Sequence, residues 1–121
     1  MMTARQMKAA LKKELQVMDK YYDGARLDDQ TIETIINGFS DVDSEKYSDM
    51  FFSFRFLAQW ITLLELHHPT GKPMPSVKEI DAYRSTIEKR IGYKPDLSMR
   101  DYIEMIRFYS VDEAVSLLKE K

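Results

Sequence analysis

The chain has 121 residues, 44% of them hydrophobic and 31% charged, with a formal net charge of −2. That is the length of one domain and the composition of a folded protein, and it predicts a single helical domain spanning residues 1–121. The absence of cysteine excludes disulfides, thiolate metal sites and a cysteine nucleophile. Only four glycines and four prolines favour helices over a turn-rich β architecture. The N-terminal stretch has no apolar run of signal-peptide length. The most apolar segment, 50–66, is interrupted by Ser53, Arg55, Gln59, Thr62 and Glu65 and is too polar to span a bilayer. A soluble, cytoplasmic protein is expected.

Helix signals run along the whole chain. Thr3 with Gln6 forms a capping box, and Met7, Leu11, Leu15, Met18 and Tyr22 follow at three- and four-residue steps until Gly24. Asp28 or Asp29 opens a second helix to about Phe39, with Ile32, Ile35 and Ile36 on one stripe. After a break at Ser40–Asp43, Asp43 or Ser44 caps a third helix over about 45–67. On a helical wheel Met50, Phe51, Phe54, Leu57, Ala58, Ile61 and Leu64 fill one sector of it. Phe52, Phe56, Trp60 and Leu63 fill a roughly opposite one. A rod apolar on most of its circumference must be surrounded, so it is expected to be the buried strut of the fold.

Residues 68–75 contain three of the four prolines and read as a loop. Ser76 with Glu79 makes a second capping box, opening a helix that carries Val77, Ile80, Tyr83, Ile87 and Ile91 and is closed by Gly92. Met99, Ile103 and Ile106 mark a fifth helix, and Ser110 with Glu113 caps a sixth. The fold class expected is all-α: a bundle of about six helices around the long third one.

Chemical motifs are few. His67 and His68 are adjacent, so their rings point about 100° apart on a helix and do not converge on one ion. The run Asp41-Val42-Asp43-Ser44-Glu45 opens like a calcium loop but has Lys46 where glycine is needed and Phe52 where glutamate is needed. Asp41 and Asp43 are better read as helix-capping residues. Gly71-Lys72 lacks the glycine-rich loop of a phosphate-binding motif. No serine sits in a recognisable nucleophile–base pattern. No enzyme activity, metal or cofactor is expected.

Charge is uneven. Residues 24–66 hold three basic and eight acidic groups, whereas residues 67–100 hold seven and four. An isoelectric point near 5.7 argues against a domain built to grip phosphates. The basic surplus nominates Lys72, Lys78, Arg84, Lys89 and Arg90 as a partner-binding surface. Tyr21 or Tyr22, Tyr93, Tyr102 and Tyr109 are candidate aromatic anchors.

The order of segments from 21 to 80 carries a resemblance. Tyr21-Tyr22-Asp23-Gly24 is followed by Leu27-Asp28-Asp29-Gln30-Thr31-Ile32-Glu33 and then by Phe39-Ser40-Asp41-Val42-Asp43-Ser44-Glu45. After the long helix comes Met74-Pro75-Ser76-Val77-Lys78-Glu79-Ile80. This resembles the small helical phage proteins that load or inhibit the replicative helicase. Asp23 departs from that pattern, which has proline there, the third helix with its loop is longer, and residues 97–121 have no counterpart in it. The resemblance implies a non-enzymatic regulator of DNA replication, phage-encoded and acting in the host cytoplasm, that binds a replicative helicase or its loader. Two other expectations stand beside it: a structural or assembly subunit, of virion-connector or self-associating type, and a nucleic-acid-binding regulator.

Overall fold

Among the described residues, capping chemistry sets off seven helices, α1 Ala4–Tyr21, α2 Asp29–Ile36, α3 Asp41–Met50, α4 Phe54–His67, α5 Val77–Ile91, α6 Met99–Phe108 and α7 Val111–Lys119. The computed structural model describes residues 2–25 and 27–120, and among these there is no strand. Each helix is preceded by a Ser, Thr or Asp whose side chain accepts an amide hydrogen from the first turn. Thr3/Gln6 and Ser110/Glu113 form the expected reciprocal boxes, Ser98/Asp101 forms another, and the expected Ser76/Glu79 box is one-sided, the Ser76 hydroxyl accepting the Glu79 N–H. α5 ends at Gly92, whose φ of 84° is the left-handed cap that glycine adopts without strain.

Three expectations are corrected here. The continuous third helix over 45–67 is two helices, interrupted at Phe51, Phe52 and Ser53, which brings the expected six or so to seven among the described residues. α3 also starts earlier than expected. Ser40 is its cap, and Asp43 is the reciprocating third residue of the box, its carboxylate accepting the Ser40 N–H at 2.9 Å. The central strut is α1, not the segment 45–67. At 18 residues, ~27 Å long, it packs against α2, α3 and α4. Its stripe of Met7, Leu11 and Leu15 is wholly buried, which is the burial expected of an amphipathic helix with several neighbours.

The contacts cluster into two units, Met1–Met74 and Pro75–Lys121. In the first, Ile32, Ile35, Tyr47, Leu57, Ala58 and Ile61 close on the α1 stripe, all with no exposed surface. Tyr47 packs edge-on against Phe39 at 4.9 Å. The loop after α4 is pinned by a buried carboxylate: Glu65 accepts the Thr70 N–H at 2.8 Å, the Thr70 hydroxyl and the Gly71 N–H. The Met74 N–H then donates to the Ile35 carbonyl of α2 at 2.8 Å. A charge kept out of water needs partners of this number, and the loop backbone supplies them.

The second unit is organised on α5, which packs against α6 and α7. Ile80, Tyr83 and Ile87 face Tyr102 and Ile103 of α6 and Ala114 and Val115 of α7, all buried. Tyr102, nominated from sequence as an exposed anchor, belongs to this core and meets Tyr83 edge-on at 6.4 Å. The Tyr83 hydroxyl donates to the Tyr109 carbonyl at 3.0 Å. Burial, reinforced by the charge of Glu113, pushes the Tyr83 phenol up to about 12. Burial raises Tyr102 as well.

The unfolded chain therefore releases the Tyr83 proton near the ordinary tyrosine value of about 10, while the folded chain keeps it. Unfolding free energy should be flat below that value and fall as pH rises from about 10 to about 12, by at most ~1.4 kcal/mol per pH unit for this group. Urea titrations of the wild type and Tyr83→Phe across that window check it. The variant should lose less stability on going alkaline. Parallel curves would contradict the assignment.

Candidate protein-docking site

The interruption between α3 and α4 determines the most unusual surface in the first unit. Phe51 and Ser53 are extended, at φ −123° and −159°. Ser53 restarts the helix because its hydroxyl accepts the Phe56 N–H at 3.1 Å. Adjacent side chains on extended backbone point to opposite faces, so the bend sends Phe51 inward and Phe52 outward. Phe51 is 6% exposed and Phe52 is 92% exposed. An almost fully solvated phenylalanine makes no contribution to the core, and no packing argument explains its presence.

Phe52 is not isolated. Its ring lies 5.8 Å from that of Phe56, in an edge-on arrangement, and Phe51 lies 5.7 Å from Phe56 and 5.3 Å from Trp60. These spacings are those of favourable aromatic pairs. Phe56, Trp60 and Leu63 are half-buried, and their spacing of four and three residues puts them on one side of α4, with the exposed His67 continuing the line. The sequence reading assigned Phe52, Phe56, Trp60 and Leu63 to a buried sector. Here they form a ridge that is partly or fully open to solvent. Beside it, Met2, Tyr47, Phe51, Phe52, Phe54 and Leu57 line a cavity of about 230 Å³. That is below the roughly 300–1,000 Å³ of small-molecule sites and suits one or two inserted side chains.

α3, which leads into the bend, exposes carboxylates and Lys46. On α3, Glu45 and Asp49 are exposed, one helical turn apart, with the exposed Val42 beside them. Neither carboxylate has an ion-pair partner among the described residues, whereas Arg55 is paired with Glu14 at 3.3 Å. Asp41, exposed on the first turn of α3, accepts the Ala4 N–H at 2.8 Å and so joins α3 to the start of α1.

The five basic residues nominated from sequence fall on two elements. Lys72 lies in the loop of the first unit, and Lys78, Arg84, Lys89 and Arg90 lie on α5 of the second. Lys78 and Lys89 share the face opposite Ile80 and Ile87. Arg84 and Arg90 lie on opposite flanks, about 120° apart on the wheel. Arg84 pairs with Asp81 at 3.2 Å and Arg90 with Asp112 of α7 at 2.6 Å. Of the nominated tyrosines, Tyr21, Tyr93 and Tyr109 are exposed, while Tyr22 is half-buried and its hydroxyl accepts from the Gln59 amide.

His67 is the last residue of α4 and His68 its C-cap, the helix-end position expected of them. Among the described residues no three His, Cys, Asp or Glu side chains converge as a metal site would require. Among the described residues no helix is long and apolar enough to cross a membrane. A second cleft, about 570 Å³, lies between Gly24, Leu27, Thr31 and the 69–71 loop. Among the described residues its one ionisable side chain is Glu65, whose oxygens are already occupied by the loop amides and the Thr70 hydroxyl. Comparison with protein-family models, with curated proteins and with solved structures finds no match.

The two phenylalanines at the bend should separate stability from surface function. Phe51→Ala should cost about 3–5 kcal/mol, the range for emptying a buried aromatic position. Phe52→Ser should stay within about 0.5 kcal/mol of wild type, as substitutions outside the core do. Equilibrium urea unfolding measures both, and equal losses at the two positions would refute the inward–outward assignment.

Proposed function

We propose that this chain is a non-enzymatic helical protein-interaction module that docks a partner through the Phe52–Phe56–Trp60 ridge. The observation that carries the reading is the 92% exposure of Phe52 at the head of a contiguous aromatic row. Interface hot spots are enriched in large aromatic residues seated beside pockets, and here the row borders a cavity of side-chain size. A large solvated aromatic gains nothing for the folded monomer, whereas burying it against a partner is worth roughly 1.5–3 kcal/mol. The exposed acidic residues of α3, the helix leading into the ridge, disfavour a nucleic-acid surface, whose phosphates they would repel.

The partner class rests on the resemblance of residues 21–80 to phage proteins that load or inhibit the replicative helicase. On that reading the module binds a replicative helicase or its loader and governs helicase assembly on DNA, acting in the host cytoplasm of a phage-infected cell.

Size-exclusion chromatography with the purified replicative helicase of a bacterial host tests both parts. Wild-type protein should co-elute with the helicase, and Phe52→Ala should weaken the complex about 30-fold, the equivalent of about 2 kcal/mol. Separate elution at tens of micromolar would remove the helicase assignment. Co-elution unchanged by Phe52→Ala would move the contact away from the ridge. A concentration-dependent oligomer abolished by the same substitution would assign the ridge to self-association, as in an assembly subunit.

A further inference from the structure

The chemistry of the partner segment can be narrowed from the charges around the ridge. We infer that the ridge receives a cationic amphipathic helix of the partner protein, its apolar side chains on Phe52, Phe56 and Trp60 and its lysines or arginines opposite Glu45 and Asp49. This rests on the docking reading above and adds the identity of what docks.

Three features support it. Apolar residues at four- and three-residue spacing present the edge that an amphipathic helix recognises through its own i, i+3, i+4, i+7 face. The exposed carboxylates of α3, the helix that leads into the ridge, give its approach a sign. Asp49 is only three residues from Phe52, within ~11 Å along the chain, and Glu45 is one turn further back on the same exposed side of α3. The third feature is energetic. Asp49 occupies the last turn of α3, a turn with no basic residue. The negative end of a helix disfavours a carboxylate there, so the fold of the isolated chain would be better served by lysine or a neutral residue. A local choice that opposes the stability of its own helix is expected where a surface is kept for binding. Lys46 and Arg55 are the nearby cations, and Arg55 is engaged by Glu14. The same carboxylates repel the phosphates of nucleic acid or an anionic bilayer, which leaves a basic protein segment as the fitting occupant.

Trp60 is the single tryptophan of the chain and touches Phe51 at the ridge, so its emission reports occupancy directly. The probes are two tryptophan-free synthetic helices of about 18 residues, ~27 Å long. They share one leucine face and differ only in flanking lysines or flanking glutamates. The lysine helix should shift Trp60 emission and bind at least about tenfold more tightly than the glutamate helix at low salt. That preference should shrink toward unity as added salt screens it. In the double variant Glu45→Lys, Asp49→Lys the preference should invert. Asp49→Lys places a cation at a helix C-terminus, so thermal unfolding should show no loss of stability. The pair Glu45→Gln, Asp49→Asn should bring the preference to unity without adding charge.

Equal binding of the two helices to wild-type protein would overturn the inference while leaving the ridge a docking surface. Binding of neither helix would also overturn it, and the helicase co-elution experiment would still decide the docking reading independently. A lysine preference that survives the double reversal would place the recognition charges elsewhere and contradict the assignment.

Discussion

One short hydrogen bond sets the character of the first unit: the Ser53 hydroxyl accepting the Phe56 amide. Without a cap at that point, an apolar run from Tyr47 to Leu64 would favour unbroken helix, since nothing in it is a strong helix breaker. With the cap, the chain leaves helical geometry for three residues and re-enters with its register rotated. Phe51 joins the core, and Phe52 is expelled into solvent. The cost is a solvated aromatic ring, and the consequence is a ridge that a straight helix would have placed on a different face. α1 then takes the organising position that a 23-residue rod would have held.

The sequence disclosed the fold class and most of the helix ends because those depend on local chemistry. Thr3 with Gln6, Ser110 with Glu113, and Gly92 all act within one turn of chain and need no knowledge of tertiary contacts. The Ser53 break was hidden for the opposite reason. Its third residue is Phe56 where a capping box would carry an acid or amide, so the serine reads as one polar interruption among several. Ser40 was overlooked because Asp43 and Ser44, both good caps in isolation, follow so closely. Tyr102 shows a further limit: periodicity marks which residues share a face but not whether another element covers it. The same limit applies in reverse to Phe52, Phe56 and Trp60, whose apolar character suggested burial.

The candidate site was less legible than the fold. Counting charges by segment located a basic surplus in residues 67–100. A surplus in sequence becomes a surface only if the side chains share a face, and Arg84 and Arg90 do not. The acidic middle of the chain was the more informative half of that count. Glu45 and Asp49 lie on the exposed side of α3, seven and three residues before Phe52 in the chain. Dispersion and burial supply strength there, and electrostatics supply orientation and choice of partner.

The account depends on an interrupted helix with one phenylalanine turned in and its neighbour turned out. Backbone carbon chemical shifts of isotopically labelled protein, read residue by residue from Asp41 to His67, examine that most directly. Extended-type shifts at Phe51 and Ser53, with helical values on both sides of the 51–53 interruption, are the result expected. Helical shifts running unbroken through those three residues would contradict it, and the ridge would have to be abandoned with the bend that creates it.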